Sequence, residues 1–136
     1  MVVESESAPE TKQAGSQLAG RLRPGDVVLV AGDLGAGKTT FVRGACRALD
    51  VTEPVTSPTF TIGQVYGGEV AEIAHVDLYR LPTLVGEDPG LLDDYLTPAR
   101  IGFVEWPAVG EPEITRVAAR VTIEHAGGDG RRIEID

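Results

Sequence analysis

Hydrophobic positions change their period along this chain, and the changes divide it into elements. "DVVLVA" (Asp26 to Ala31) is an unbroken, valine-rich apolar run, the pattern of a parallel strand covered on both faces. Before it, Ala14, Leu18 and Leu22 recur at i, i+4 and i+8 behind "SAPE" (Ser7 to Glu10), a capping box with serine at the N-cap and glutamate three residues on. That spacing predicts a first helix from about Ala8 to Leu22. "RPGD" ends it, because Pro24 cannot continue a helix and Gly25 accepts turn dihedrals. After the strand, "KTTFVRGACRALD" places Phe41, Ala45, Ala48 and Leu49 on one helical face.

The middle and the end of the chain read with a shorter period. "TFTIGQVY", a "GG" turn and "EVAEIAHVDLY" form two extended segments around a tight connection, so a hairpin is expected. "LPTLVGEDPGLLDDYLT" reads as loop and short helix, since Leu91, Leu92 and Tyr95 can share a face, and "RIGFVEW" as a strand. In the tail, Val117, Ala119, Val121 and Ile123 alternate toward one side before a turn at "AGGDG", which predicts a second hairpin. No internal repeat, low-complexity tract or linker interrupts the pattern.

Composition narrows the class. At 136 residues the chain has the size of one domain, and 42 % hydrophobic with 24 % charged residues argues against wholesale disorder. Residues 1–7 are expected to form a flexible N-terminus. That acidic, polar start lacks the basic and apolar regions of a secretory signal, and the apolar runs are too short to cross a bilayer, so a cytoplasmic location is expected. The lone Cys46 cannot form an intrachain disulfide and reads as a buried helical residue. A formal charge of -9 repels phosphate backbones, so any RNA is expected to be held by a partner. Lysine occurs only at Lys12 and Lys38, and the second sits in the most informative motif.

"GDLGAGKT" (Gly32 to Thr39) matches G-x-x-x-x-G-K-[ST] between a predicted strand and a predicted helix. Glycines let the backbone wrap around phosphate oxygens, with N–H groups pointing inward at the positive end of the following helix. In this setting Lys38 reaches the β/γ-phosphates, the Thr39 hydroxyl is offered to Mg²⁺, and Thr40 can bond a phosphate nearer the ribose. The expected fold is therefore α/β: a single P-loop NTPase-like domain over 1–136, its mixed sheet having a parallel core and antiparallel hairpins, flanked by helices. Such a loop needs an acid at the end of a neighbouring apolar strand. "IGFVE" ends in Glu105 and is the better match; "IAHVD" ends in Asp77, which equally suits the start of a turn. His75, Tyr79 and Trp106 read either as site groups or as ordinary buried side chains, and Arg80 as a charge partner for Asp77 or a surface arginine.

"GDLGAGKTTFVRG", "TSPTFT", "HVDLYR" and "VEWP", in this order, resemble the bacterial TsaE (YjeE) family, small ATPases required for the threonylcarbamoyladenosine modification of tRNA; the resemblance runs from about Thr11 to Pro107. It implies that Leu34, Gly35, Ala36, Gly37, Lys38 and Thr39, with Thr40, hold the phosphates of ATP or ADP, and that Thr39 and Glu105 ligate Mg²⁺. It further implies a first switch at "SPTF" with Thr59 facing the γ-phosphate, and a second at "HVDLYR". Lys38, Asp77 and Glu105 would then be the catalytic set, with His75 and Tyr79 supporting and Trp106 near the site. Ala8 to Thr11 resembles the part that packs on adenine. The implied activity is a weak Mg²⁺-dependent ATPase that supports turnover of a TsaD–TsaB complex, meets tRNA only through its partners, and involves neither DNA nor membrane. "PTLVGEDPG" departs from the glutamate-rich helix usual after "LYRL" in the family. Two other readings remain open: a small P-loop metabolite kinase, although no arginine-bearing lid stands out between Arg80 and Arg100, and a nucleotide sensor that does not hydrolyse. A GTPase is disfavoured because no N-K-x-D or T-K-x-D motif occurs.

Overall fold

The computed structural model describes residues 1–58, 62–79, 90–107 and 114–136. In chain order the elements are β1 (Val2–Ser5), α1 (Ala8–Ala19), β2 (Val27–Gly32), α2 (Lys38–Ala48), β3 (Gly63–Tyr66), β4 (Glu72–Asp77), β5 (Arg100–Glu105), β6 (Val117–His125) and β7 (Arg131–Ile135). They build one seven-stranded sheet in the order β1-β7-β6-β2-β5-β4-β3. β2 runs parallel to β5 and β6, and β5 parallel to β4, whereas β3/β4, β6/β7 and β1/β7 are antiparallel. The expected parallel core with antiparallel hairpins is the observed sheet.

Strand alternation sends β2 to both faces at once. Val28 and Val30 pack with Leu18, Phe41, Val42 and Cys46 under α1 and α2, while Val27 and Leu29 pack with Val76, Leu92 and Val104 on the other face. Both helices therefore lie on one side, and turns around Leu92 cover the other. The helices approach closely because each offers a glycine: a Cβ on Gly15 would overlap the Phe41 carbonyl, and one on Gly44 the Lys12 backbone.

Four expectations need correction. Residues 2–5, expected to be flexible, form edge strand β1 against β7, and the terminal amine donates to Ile135 O at 2.9 Å. Glu4 obscures the pattern, but an edge strand tolerates charge on its open side. The first helix does begin at Ala8 with Ser7 as its cap, yet it stops at Ala19, three residues before Leu22. Gly20 caps it, and i to i+3 bonds from Arg21 and Leu22 tighten the last turn and bring Leu22 into the core. The segment from Gly90 to Tyr95 forms hydrogen-bonded turns and no helix, although Leu92 is buried as a shared face would require. Finally, Val117 does not share a side with Ala119, Val121 and Ile123. The β2/β6 register shifts between Val27 and Val28, and this irregularity turns Val117 to the opposite cluster. Within 81–97, residues 81–89 lie outside the described residues.

Candidate nucleotide-binding site

The loop between β2 and α2 takes its shape from two glycines. Gly35 (φ 77°) and Gly37 (φ 106°) occupy left-handed backbone that a side chain would strain, and Gly37 serves as the N-cap of α2. Lys38 follows, 5 % exposed, its ammonium donating to the carbonyls of Gly32 and Asp33 at 2.8 Å each and lying 4.2 Å from the Trp106 ring centroid. Burial holds its pKa below the ordinary lysine value, while Glu105, Asp77 and Asp33 act in the opposite sense.

Parallel pairing brings the two candidate acids together. Asp77 and Glu105 are direct register partners at the ends of β4 and β5, of which β5 lies beside β2 and β4 beside β5. Glu105 is 2 % exposed. Its carboxylate accepts from the Thr39 hydroxyl at 3.0 and 3.1 Å, and from His75 Nε2 at 2.5 Å. His75 is fully buried, and its Nε2 donates to a carboxylate that only accepts; Nδ1 has no hydrogen-bond partner among the described residues. Asp77 stands nearer the opening, and its carboxylate accepts from Tyr79 N at 2.9 Å, an Asx turn that ends the strand. Burial, reinforced by the charge of Glu105, raises the Asp77 pKa; the Tyr79 N–H, His75 and Lys38 pull the other way.

Trp106 takes a positive φ of 55° directly after Glu105, an uncommon backbone state for a bulky residue. The turn brings its ring over Lys38 and to 4.9 Å from that of Tyr79. These groups line one cleft of about 610 Å³ with Leu34, Gly35, Gly37, Thr39, Thr40 and Ser57.

Lys38, Thr39, Thr40, Asp77, Tyr79, Glu105 and Trp106 meet at the cleft, as do the loop residues apart from Ala36. Ala36 is fully buried beneath the loop, its N–H donating to Asp33 O at 3.0 Å. His75 lies behind Glu105 and does not line the opening. Thr59 and Arg80 lie outside the described residues. Thr11, in the segment set against adenine by resemblance, is buried with its hydroxyl 2.7 Å from that of Ser5. Two participants were missed. Ser57 shares a 2.8 Å hydroxyl contact with Thr39, at the edge of a segment already singled out for Thr59. Arg131 reaches the loop from 95 residues away, and no local pattern announces such a contact.

The site offers a hydroxyl and a carboxylate at one point, hard oxygen donors of the kind Mg²⁺ prefers. Among the described residues no group of three or more acidic, histidine or cysteine side chains could by itself hold a metal. Mg²⁺ commonly relies on one or two carboxylates completed by phosphate and water, so this donor set fits it better than a dedicated metal cage would. Among the same residues no helix is long and apolar enough to cross a membrane.

Comparison with known proteins agrees with this architecture. Residues 5–133 match the family model described as threonylcarbamoyl adenosine biosynthesis protein TsaE. The tRNA threonylcarbamoyladenosine biosynthesis protein TsaE of Bacillus subtilis is 40 % identical over 124 residues, 91 % of this chain and 77 % of that one. The protein of the same name from Streptomyces coelicolor is 40 % identical over 120 residues, 87 % of this chain and 81 % of its own. A crystal structure of Bacillus subtilis YdiB superposes with a TM-score of 0.80 at 33 % identity, covering 98 % of this chain and 82 % of that one. A match of this extent, in sequence and in fold, makes the chain a member of the TsaE family of threonylcarbamoyl adenosine biosynthesis proteins.

Proposed function

We propose that the chain binds ATP with Mg²⁺ in this cleft and hydrolyses it slowly, and that this cycle supports turnover of a TsaD–TsaB complex that modifies tRNA. The observation that carries the reading is the bond from the Thr39 hydroxyl to both oxygens of Glu105, made next to the ammonium of Lys38. A loop hydroxyl facing a strand-end acid is the pairing that holds Mg²⁺ against nucleotide phosphates in P-loop proteins. Bound there between Thr39 and Glu105, Mg²⁺ would neutralise charge on the β- and γ-phosphates.

The protein groups have separable tasks. Lys38 exchanges its two loop carbonyls for phosphate oxygens, and the N-terminus of α2 adds its dipole to the same end. His75 fixes the Glu105 carboxylate from behind, so that Thr39 and the acid keep their geometry. Asp77 is half-buried at the opening, where it can orient the attacking water by accepting a hydrogen bond. Trp106 and Tyr79 shield the lysine and form the wall of the cleft. With a net charge of -9 the chain is poorly suited to grip tRNA itself, so the RNA is met through the partner complex.

The test is reconstitution of tRNA modification with the partner complex, with and without this chain, ATP and Mg²⁺. The expected result is dependence on all three across multiple turnovers, lost in Lys38→Ala, which removes the cation for the phosphates. Multiple turnover without the chain, or full activity of Lys38→Ala, would overturn the reading. Phosphorylation of a small metabolite would point to the kinase instead.

A further inference from the structure

The roles above leave the C-terminal hairpin without a task. β7 opens with Arg131, whose guanidinium bridges the hairpin and the loop of the nucleotide cleft. Nε donates to Ala36 O at 2.8 Å and one Nη to Gly35 O at 3.4 Å. The other Nη donates to Gly128 O at 3.0 Å and Gly130 O at 2.7 Å, in the turn between β6 and β7. The planar five-donor fork of arginine suits four carbonyls on two segments, whereas a lysine ammonium has only three donors at one point.

We propose that Arg131 is a positioning residue for phosphate binding, holding the loop's outer carbonyls so that its backbone N–H groups face the nucleotide. The inference rests on the ATP-binding reading and adds a residue to it. All described peptide bonds are trans, so the C=O of Ala36 and the N–H of Gly37 point in opposite directions. A carbonyl tied to the hairpin therefore turns the Gly37 N–H away from the hairpin, and Gly37 itself lines the cleft. The loop needs this support because the conformations of Gly35 and Gly37, reachable at low strain only by glycine, come with large backbone freedom. A loop already ordered by protein carbonyl bonds loses less entropy when phosphate arrives. The guanidinium also adds positive potential behind the loop.

The hairpin is itself anchored, since β7 is sandwiched between β1 and β6. The N-terminal strand thus contributes to the site at one remove, by completing the sheet on which Arg131 stands.

The test compares ADP affinity by calorimetry in the full chain and in the variants Arg131→Ala, Arg131→Lys, Lys38→Ala and Arg132→Ala. Arg132, paired with Glu134 at the surface, controls for loss of charge in the same strand. Amide hydrogen exchange and thermal unfolding of the nucleotide-free proteins are followed in parallel. Arg131→Ala is expected to weaken ADP about tenfold, with faster exchange confined to residues 34–37 and the 126–130 turn. Arg131→Lys should recover part of the affinity, and Arg132→Ala should match the wild type. Arg131→Ala binding ADP within about twofold of the wild type while Lys38→Ala loses it would overturn this inference and leave the nucleotide site standing. Faster exchange across the whole sheet would also overturn it, because the arginine would then be a general structural residue. If Arg131→Ala does not fold, Arg131→Lys carries the same comparison. A wild-type chain that does not bind ADP overturns the nucleotide reading and this inference with it.

Discussion

His75 and Glu105 form a buried pair whose removal should be felt both in stability and at the site. His75 is fully buried, Glu105 is 2 % exposed, and their side chains meet at 2.5 Å. Replacing His75 by leucine leaves the buried carboxylate facing an apolar side chain where it had a donor, with Thr39 still donating to it. Breaking a buried pair from one side typically costs about 3–5 kcal/mol. The two contacts from Thr39, at 3.0 and 3.1 Å, are retained, so the lower end applies, about 3 kcal/mol. Against a typical total of about 5–15 kcal/mol that is a large fraction, and for a chain of this size it corresponds to a fall in Tm of roughly 10 °C. Replacing both partners, in His75→Leu with Glu105→Met, removes the stranded charge and should recover at least about 2 kcal/mol relative to His75→Leu alone. Urea unfolding at pH 7 of the wild type, both single variants and the double variant closes the cycle. The reasoning is refuted if His75→Leu unfolds within about 1 kcal/mol of the wild type, or if the two single effects add to within about 0.5 kcal/mol.

Two further predictions come from particular contacts. Because burial raises the Asp77 pKa above its unfolded value, the ionised carboxylate is less favourable in the folded state; the stability linked to this group is fully present below the unfolded pKa and is lost as pH rises through the folded one. Asp77→Asn should therefore raise Tm at pH 7, lose that advantage in acid near and below the ordinary aspartate range, and keep the Asx turn through its side-chain oxygen while ATPase activity falls; an unchanged or lower Tm at pH 7 would contradict the electrostatic argument. Gly44→Ala, although alanine favours helix by about 1 kcal/mol, puts a methyl into the Lys12 backbone; a net loss of about 1–3 kcal/mol in urea unfolding is expected, and a stabilised variant would show that α1 can shift at little cost.

The sequence was most informative where one strong signal governs a local choice. The valine run of β2, the phosphate-loop pattern and the serine cap at Ser7 each act within a few residues, and each appears where expected. The alternation in "HVDLYR" was half legible. His75 and Asp77 do share a face, but the strand ends at Asp77, and His75 serves Glu105 from the interior instead of joining the cleft wall. The preference for Glu105 over Asp77 came from the more apolar strand that ends in it, and the Thr39 hydroxyl does meet Glu105.

The features that were not legible are those set by pairing between distant segments. Val117 fits the alternation in the sequence, but a register irregularity against β2 breaks it and puts Val117 on the other face. Residues 2–5 look like an acidic tail until β7 supplies an open edge. Arg131 looks like one of ten surface arginines until the sheet order places it under the loop. The last two cases have a common consequence. β1 and β7 lie at one edge of the sheet, outside the strands that carry the candidate acids, yet through Arg131 that edge makes contact with the loop meant for phosphate. Shortening the chain at either end would thus remove support from the nucleotide cleft without deleting any residue of the phosphate-loop motif.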